Sequence, residues 1–281
     1  MSKPVAIIGG GTMGVGIAYV AALAGGTVRV VEPDDARASA MRRTLREASA
    51  KAVARGKLDE AGAAALLGRI ERRWQIDELP LGMDLAIETV PERLELKLEV
   101  LAQIARRKPA LIATNTSAMS IDRLAEAVEF PERFLGMHFF NPVWSLPLVE
   151  LIVGARTAPE TLEEARRFVA GLGKESVTVR NVPGFATSRL DLIASLEAMR
   201  MLEGGVASAE DIDRAVVLAY RHPVGPLRLS DIVGLDVRLD IARTLETTYG
   251  SRFAAPAILV DMVSKGLIGV KSGRGFFEWP R

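Results

Sequence analysis

The chain has 281 residues, enough to bury a sizeable core and long enough for two domains. Its charge is nearly balanced, 36 Lys+Arg against 35 Asp+Glu with both signs scattered, which argues against a nucleic-acid partner or a polybasic membrane surface. It has no cysteine, which excludes disulfides, thiolate nucleophiles and Cys-ligated metals; the opening "MSKPVAIIGGG" lacks the apolar core of a signal peptide, and no uncharged apolar run could span a bilayer, so a soluble cytoplasmic protein is expected.

Val5 to Ile8 is a short β-branched run ending at glycine, the mark of a buried parallel strand. Met13 to Leu23 then reads as a helix of small apolar residues, and "TVRVVE" (27–32) as a second strand. Asp34 opens a long Ala/Arg-rich helix reaching about Arg55, and a shorter helix follows Asp59. "MDLAIET" (83–89) gives a strand, Leu94 to Ala105 a helix and "ALIAT" (110–114) a strand. "RFLGMHFF", "LVELIV" and "ESVTVR" (175–180) predict further strands. Alternating strands and helices imply an α/β fold, a doubly wound and mostly parallel sheet of the Rossmann type.

After "NVPGF" (181–185) the pattern turns helical. Leu192, Leu196 and Met199 form one stripe and Leu190 and Ile193 another, so a helix here packs on two sides. "SAED" (208–211) has capping-box spacing ahead of Ile212 and Val216, with Asp in place of the better Glu. Two more helical segments run from about Leu235 to Thr248 and from Ala255 to Lys265. The predicted division is an α/β domain over 1–181 and a smaller all-α domain over 182–281, packed directly with a cleft between them.

"GGGTMG" contains Gly9-x-Gly11-x-x-Gly14, a strand precedes it and a helix follows, which is the context that makes this spacing a dinucleotide loop. Gly9 allows the tight turn, Gly11 lets the backbone approach a pyrophosphate, and Gly14 lets the helix lie close to the strand. Thr12 and Met13 belong to the same loop. Glu32, 18 residues past Gly14, ends the second strand, where a carboxylate accepts the adenosine ribose hydroxyls and repels a 2′-phosphate. The expected cofactor is NAD. His138, one of two histidines, lies in the apolar run "MHFFNPVWSLPLVE"; such a residue is either a satisfied core histidine or a general base.

"NTS" (115–117), "HFFNP" (138–142), "PGF" (183–185) and "KSGRGFF" (271–277) occur in an order that resembles the L-3-hydroxyacyl-CoA dehydrogenases, and the chain is similar to the short two-domain, 3-hydroxybutyryl-CoA type over essentially its whole length. The resemblance implies hydride transfer between NAD and the C3 oxygen-bearing carbon of a short-chain L-3-hydroxyacyl-CoA. It assigns His138 as the base, Glu150 as the carboxylate that orients and stabilises it, and Ser117 as a hydrogen-bond partner of the reacting oxygen. It also implies cofactor contacts from Asn115, Ser117, Asn141, Glu92 and Lys97; a solvated helical ion pair is the alternative for the last two. It implies a homodimer through the C-terminal domain.

Two departures stand out. Where the family has asparagine four residues after the glycine of "PGF", this chain has Ser188, which keeps a hydroxyl donor to the substrate oxygen but is shorter. Pro147 stands where a lysine is common. Arg42, Arg43, Arg46 and Lys51 lie near where the family binds coenzyme A, with a solvated basic face as the alternative. His222 and the "KSGRGFFEW" tail are expected to be structural, and no metal site is expected. The competing functions are an NAD-dependent dehydrogenase of a free hydroxy acid, of the gulonate or carnitine type, and a non-catalytic NAD-binding structural protein.

Overall fold

Short β-branched segments such as Val5–Ile8 bury both faces at once, and they do so only in a sheet covered on two sides. The structure, a computed structural model, describes residues 4–280. In chain order the first unit holds β1 (Val5–Ile8), α1 (Thr12–Leu23), β2 (Val28–Val31), α2 (Asp35–Ala54), α3 (Glu60–Gly68), β3 (Ile70–Arg73) and β4 (Leu85–Glu88). It continues with α4 (Leu94–Arg106), β5 (Leu111–Thr114), α5 (Ile121–Leu124), β6 (Phe134–Phe139), β7 (Leu148–Val153), α6 (Pro159–Gly171) and β8 (Glu175–Arg180).

These strands form one eight-stranded sheet in the order β3-β2-β1-β4-β5-β6-β7-β8. All neighbours are parallel except β6 and β7, which run antiparallel. The chain leaves β1 toward one edge through β2 and β3, then crosses back to β4. That reversal puts a crevice beyond the carboxyl ends of β1 and β4, where doubly wound sheets bind ligands. Helix starts follow local chemistry: Asp34 accepts the Arg37 N–H at 2.7 Å to begin α2, and Asp59 accepts that of Gly62 at 2.7 Å to begin α3.

Three elements of this unit lie outside the predicted set, one of them the four-residue α5. β3, "IERR", carries three charged residues in four and is only partly buried, as an edge strand tolerates. α6 starts with Pro159 in its first turn and buries Thr161, Ala165 and Val169, a helical spacing.

The chain divides between Val182 and Pro183 into two compact units. The second is all helical: α7 (Thr187–Glu203), α8 (Ala209–Tyr220), α9 (Pro226–Val233), α10 (Leu235–Tyr249) and α11 (Ala257–Ser264). Of these α9 is not predicted from sequence. Leu192, Leu196 and Met199 of α7 pack with Ile212, Leu227, Leu239, Leu245 and Leu259. Ser208 caps α8 by accepting the Asp211 N–H at 3.1 Å. The glycine-rich tail closes this unit on Asp231, whose buried carboxylate accepts from the Phe276 and Phe277 N–H groups and from Trp279 Nε1, each at 2.9 Å. Among the described residues, no helix is long and apolar enough to cross a membrane.

Candidate active site

The glycine loop connects β1 to α1 and fits a dinucleotide on steric grounds. Gly9 adopts φ +113°, and a Cβ on Gly14 would lie 1.9 Å from the Gly9 carbonyl oxygen. Each glycine is therefore required by the turn. A Cβ on Gly11, by contrast, would meet nothing within 4 Å, so this backbone faces open space. Gly11 caps α1 without a side-chain bond, and no acid lies in the first turn, which leaves the positive helix end to an anionic ligand. The space is a cavity of about 780 Å³ lined by Gly9, Gly11, Thr12, Met13, Glu32 and Trp74, among others.

Glu32 is buried at the far edge of this cavity. Its Oε2 accepts the Gly10 N–H at 3.1 Å, while Oε1 accepts the Asp34 N–H and the Arg37 Nε–H, both at 3.0 Å. Arg37 is a partner that sequence reading missed: no arginine directly follows Glu32, but one turn of α2 brings this one back. Trp74, just after β3, is the other missed residue. It is half exposed in the cavity, with the Arg72 guanidinium 4.6 Å from its ring centre.

A second cavity of about 350 Å³ shares Met13, Thr89 and Val90 with the first and is lined further by Glu92, Asn115, Ser117, His138, Phe140 and Asn141. His138 and Glu150 are direct partners in the β6–β7 register, and His138 Nδ1 lies 2.9 Å from Glu150 Oε2. Both are buried. A carboxylate can only accept, so this contact calls for the tautomer with its proton on Nδ1, which leaves Nε2 as the ring's acceptor nitrogen. Asn115 contributes by tying two strands together: its Oδ1 accepts the Phe139 N–H at 2.9 Å.

Glu92 and Lys97 do not form a solvated helical pair. Lys97 is buried, and its ammonium contacts both Glu88 oxygens at 2.8 and 3.0 Å and Glu92 Oε2 at 3.1 Å. Glu92 in turn accepts from the Thr116 hydroxyl and from the Ser117 N–H. Sequence reading passed over Glu88, although a glutamate closing the apolar strand "LAIE" is a visible signal. Among the described residues, no cluster of His, Asp or Glu has the makings of a metal site.

The remaining candidates scatter. Ser188 belongs to the second unit, in the first turn of α7. Lys51 lines a cavity of about 340 Å³ with Arg55, Lys57, Tyr19 and Trp144. Arg42 and Arg46 line a different one beside Arg72. His222 is exposed, its ring 6.3 Å from that of Tyr220.

Residues 4–182 match the model of the 3-hydroxyacyl-CoA dehydrogenase NAD binding domain, and residues 184–279 that of the 3-hydroxyacyl-CoA dehydrogenase C-terminal domain. The chain belongs to the 3-hydroxyacyl-CoA dehydrogenase family. This dehydrogenase is 40% identical over 280 residues to a 3-hydroxybutyryl-CoA dehydrogenase of Bradyrhizobium diazoefficiens, covering 99% of this chain and 95% of that one. It is 39% identical to a protein of the same name from Mycobacterium tuberculosis, with 98% of each covered. The solved (S)-3-hydroxybutyryl-CoA dehydrogenase of Ralstonia eutropha superposes with a TM-score of 0.95 at 37% identity, covering 99% of each chain. The family's cofactor is NAD, in keeping with the open glycine loop and the glutamate at the end of β2.

Proposed function

We propose that this dehydrogenase interconverts a short-chain L-3-hydroxyacyl-CoA and the corresponding 3-oxoacyl-CoA, with His138 as the acid–base residue. NAD, when bound, supplies the hydride acceptor at its nicotinamide ring. The single observation carrying the proposal is the 2.9 Å contact of His138 and Glu150 in a cavity that shares its wall with the dinucleotide loop. In the oxidative direction, His138 Nε2 takes the C3 hydroxyl proton as the C3 hydrogen departs as hydride. Glu150 holds the ring in the tautomer required and stabilises the imidazolium that forms. Ser117 donates to the reacting oxygen. Glu32 holds the adenosine ribose; Glu92, Asn115 and Asn141 border the nicotinamide half. Lys97 acts behind this surface, since its ammonium is taken up by Glu88 and Glu92.

Coenzyme A carries phosphates, and the cavity of Lys51, Arg55 and Lys57 offers three cations beside two aromatic rings, Tyr19 and Trp144, which meet edge to face at 5.8 Å. That chemistry favours an acyl-CoA over a free hydroxy acid. Leu190, Leu218, Tyr220 and Ile232, all at least half exposed on helices of the second unit, support a homodimer formed through this unit. Light scattering of the purified protein reads the mass directly. A cytoplasmic location completes the proposal.

The test is NADH consumption with acetoacetyl-CoA. Wild type turns it over, while His138→Gln binds NADH normally and loses at least a hundredfold in kcat. No NADH consumption by wild type rejects the substrate; full turnover by His138→Gln rejects the mechanism.

A further inference from the structure

Lys97 holds more negative charge around it than it can neutralise. Its buried ammonium faces two carboxylates, Glu88 and Glu92, at 2.8 and 3.1 Å, so the cluster carries one surplus negative charge. The two acids are unlike in their surroundings. Glu88 is fully buried at the end of β4 and is saturated: Oε1 accepts the Val90 N–H at 2.7 Å, Oε2 accepts the Thr114 hydroxyl at 2.6 Å, and both contact Lys97. Glu92 is 39% exposed and lines the cavity of Ser117, His138 and Asn141. Lys97 sits behind it, 1% exposed.

We propose that Glu88 is an electrostatic positioning residue that engages Lys97 from behind, so that Glu92 presents an uncompensated negative charge to the nicotinamide and the site binds the oxidised ring in preference to the reduced one. This rests on the reading that the nicotinamide half of NAD occupies the cavity lined by Glu92 and Ser117. The reasoning is one of charge balance. The oxidised nicotinamide is cationic and the reduced ring neutral, so a fixed charge beside the ring acts on one form and not the other. Were Glu88 uncharged, Lys97 would cancel Glu92 and the distinction would vanish. Glu88 and Lys97 interact with little water between them, while Glu92, 39% exposed, is partly screened, so the surplus charge acts on the ring at reduced strength. The hydrogen bond from Ser117 N–H to Glu92 Oε1 ties the same cluster to the residue facing the reacting oxygen.

The experiment measures equilibrium dissociation constants for NAD+ and NADH by calorimetry, without substrate. Glu88→Gln preserves shape and the acceptor oxygen while removing the charge. It is expected to raise Kd for NAD+ by about tenfold and leave that for NADH within about twofold, the order expected for one unit charge across a partly screened site. The double variant Glu88→Gln/Lys97→Met restores one surplus negative charge, on Glu92, and is expected to return the ratio of the two constants toward wild type. Thr114→Val deletes a hydrogen bond to Glu88 without changing charge and should leave the ratio alone. A purely structural role predicts the reverse ordering, with the double variant the most damaged and both constants rising together. That outcome, or an unchanged ratio in Glu88→Gln, overturns the proposal. Wild type binding neither form overturns it by removing the cofactor site itself.

Discussion

Replacing Glu150 by glutamine isolates what the carboxylate adds to His138. Both side chains are buried, and the His138 Nδ1 to Glu150 Oε2 contact of 2.9 Å puts the two charge centres about 4 Å apart when the imidazole is protonated. At an effective dielectric constant of about 20, the attraction is about 4 kcal/mol. Glutamine keeps an oxygen that can still accept the Nδ1 proton, so some stabilisation survives; a loss of about 3 kcal/mol corresponds to roughly 150-fold in kcat. Because the carboxylate acts on a charge that exists only as the proton moves, KM for the acyl-CoA should stay within about threefold. The assay is steady-state formation of NADH from NAD+ and saturating L-3-hydroxybutyryl-CoA, the direction in which His138 starts neutral, with single-turnover traces to confirm that the slow step is chemical. A kcat within threefold of wild type would refute the assignment of Glu150 as the partner of the base.

Three more outcomes follow from the geometry. Trp74→Ala should raise Kd for NADH about fivefold with kcat unchanged, because a half-exposed indole backed by Arg72 is placed to stack on an adenine; a fluorescence titration reads this. Lys174 donates to the carbonyls of Val143 and Leu146 at 2.6 and 2.7 Å, and partial burial pushes its ammonium below the usual lysine value. The folded chain therefore releases this proton before the unfolded chain does. Between the lowered value and 10.5, stability of wild type relative to Lys174→Met should rise with pH and then level off, as thermal melts along a pH series will record. In the second unit, Arg238 is 2% exposed and ion-paired to Asp191. Asp191→Ala should cost about 3 kcal/mol in urea unfolding by stranding the cation, and Asp191→Leu/Arg238→Met should recover most of it.

The elements read most directly from sequence are those whose local pattern and tertiary role agree. Val5–Ile8, the glycine loop and Thr12–Leu23 announce strand, turn and helix because the strand is buried throughout and the helix from Gly14 to Ala22. The β6 and β7 segments are equally plain, since "LGMHF" and "LVELIV" are apolar on both faces. β3 is opaque because an edge strand keeps charges, α9 is an eight-residue amphipathic stretch, and α6 is rich in charge, with only Thr161, Ala165 and Val169 buried. At the candidate site, His138 and Glu150 are visible as polar residues inside apolar strands. Their contact follows from register, which twelve residues of separation permit without requiring. Arg37 beside Glu32, Trp74 in the first cavity and the engagement of Lys97 by Glu88 are invisible for a different reason. Arg37 and Lys97 lie only five and nine residues from their partners but across a strand-to-helix turn, and Trp74 comes from beyond β3, so no local period encodes any of these placements.

His138 and Glu150 face each other across two antiparallel strands, and in a pleated ladder a slip of one residue sends every side chain to the opposite face. Their meeting is thus held by the hydrogen-bond ladder, whereas the connection from Phe140 to Pro147 carries no part of it. That connection borders both the cavity of His138, through Phe140 and Asn141, and the basic one, through Trp144 and Ser145. The exposed part of this span, Trp144 to Leu146, can therefore change to suit new ligands while His138 and Glu150 stay where the ladder puts them.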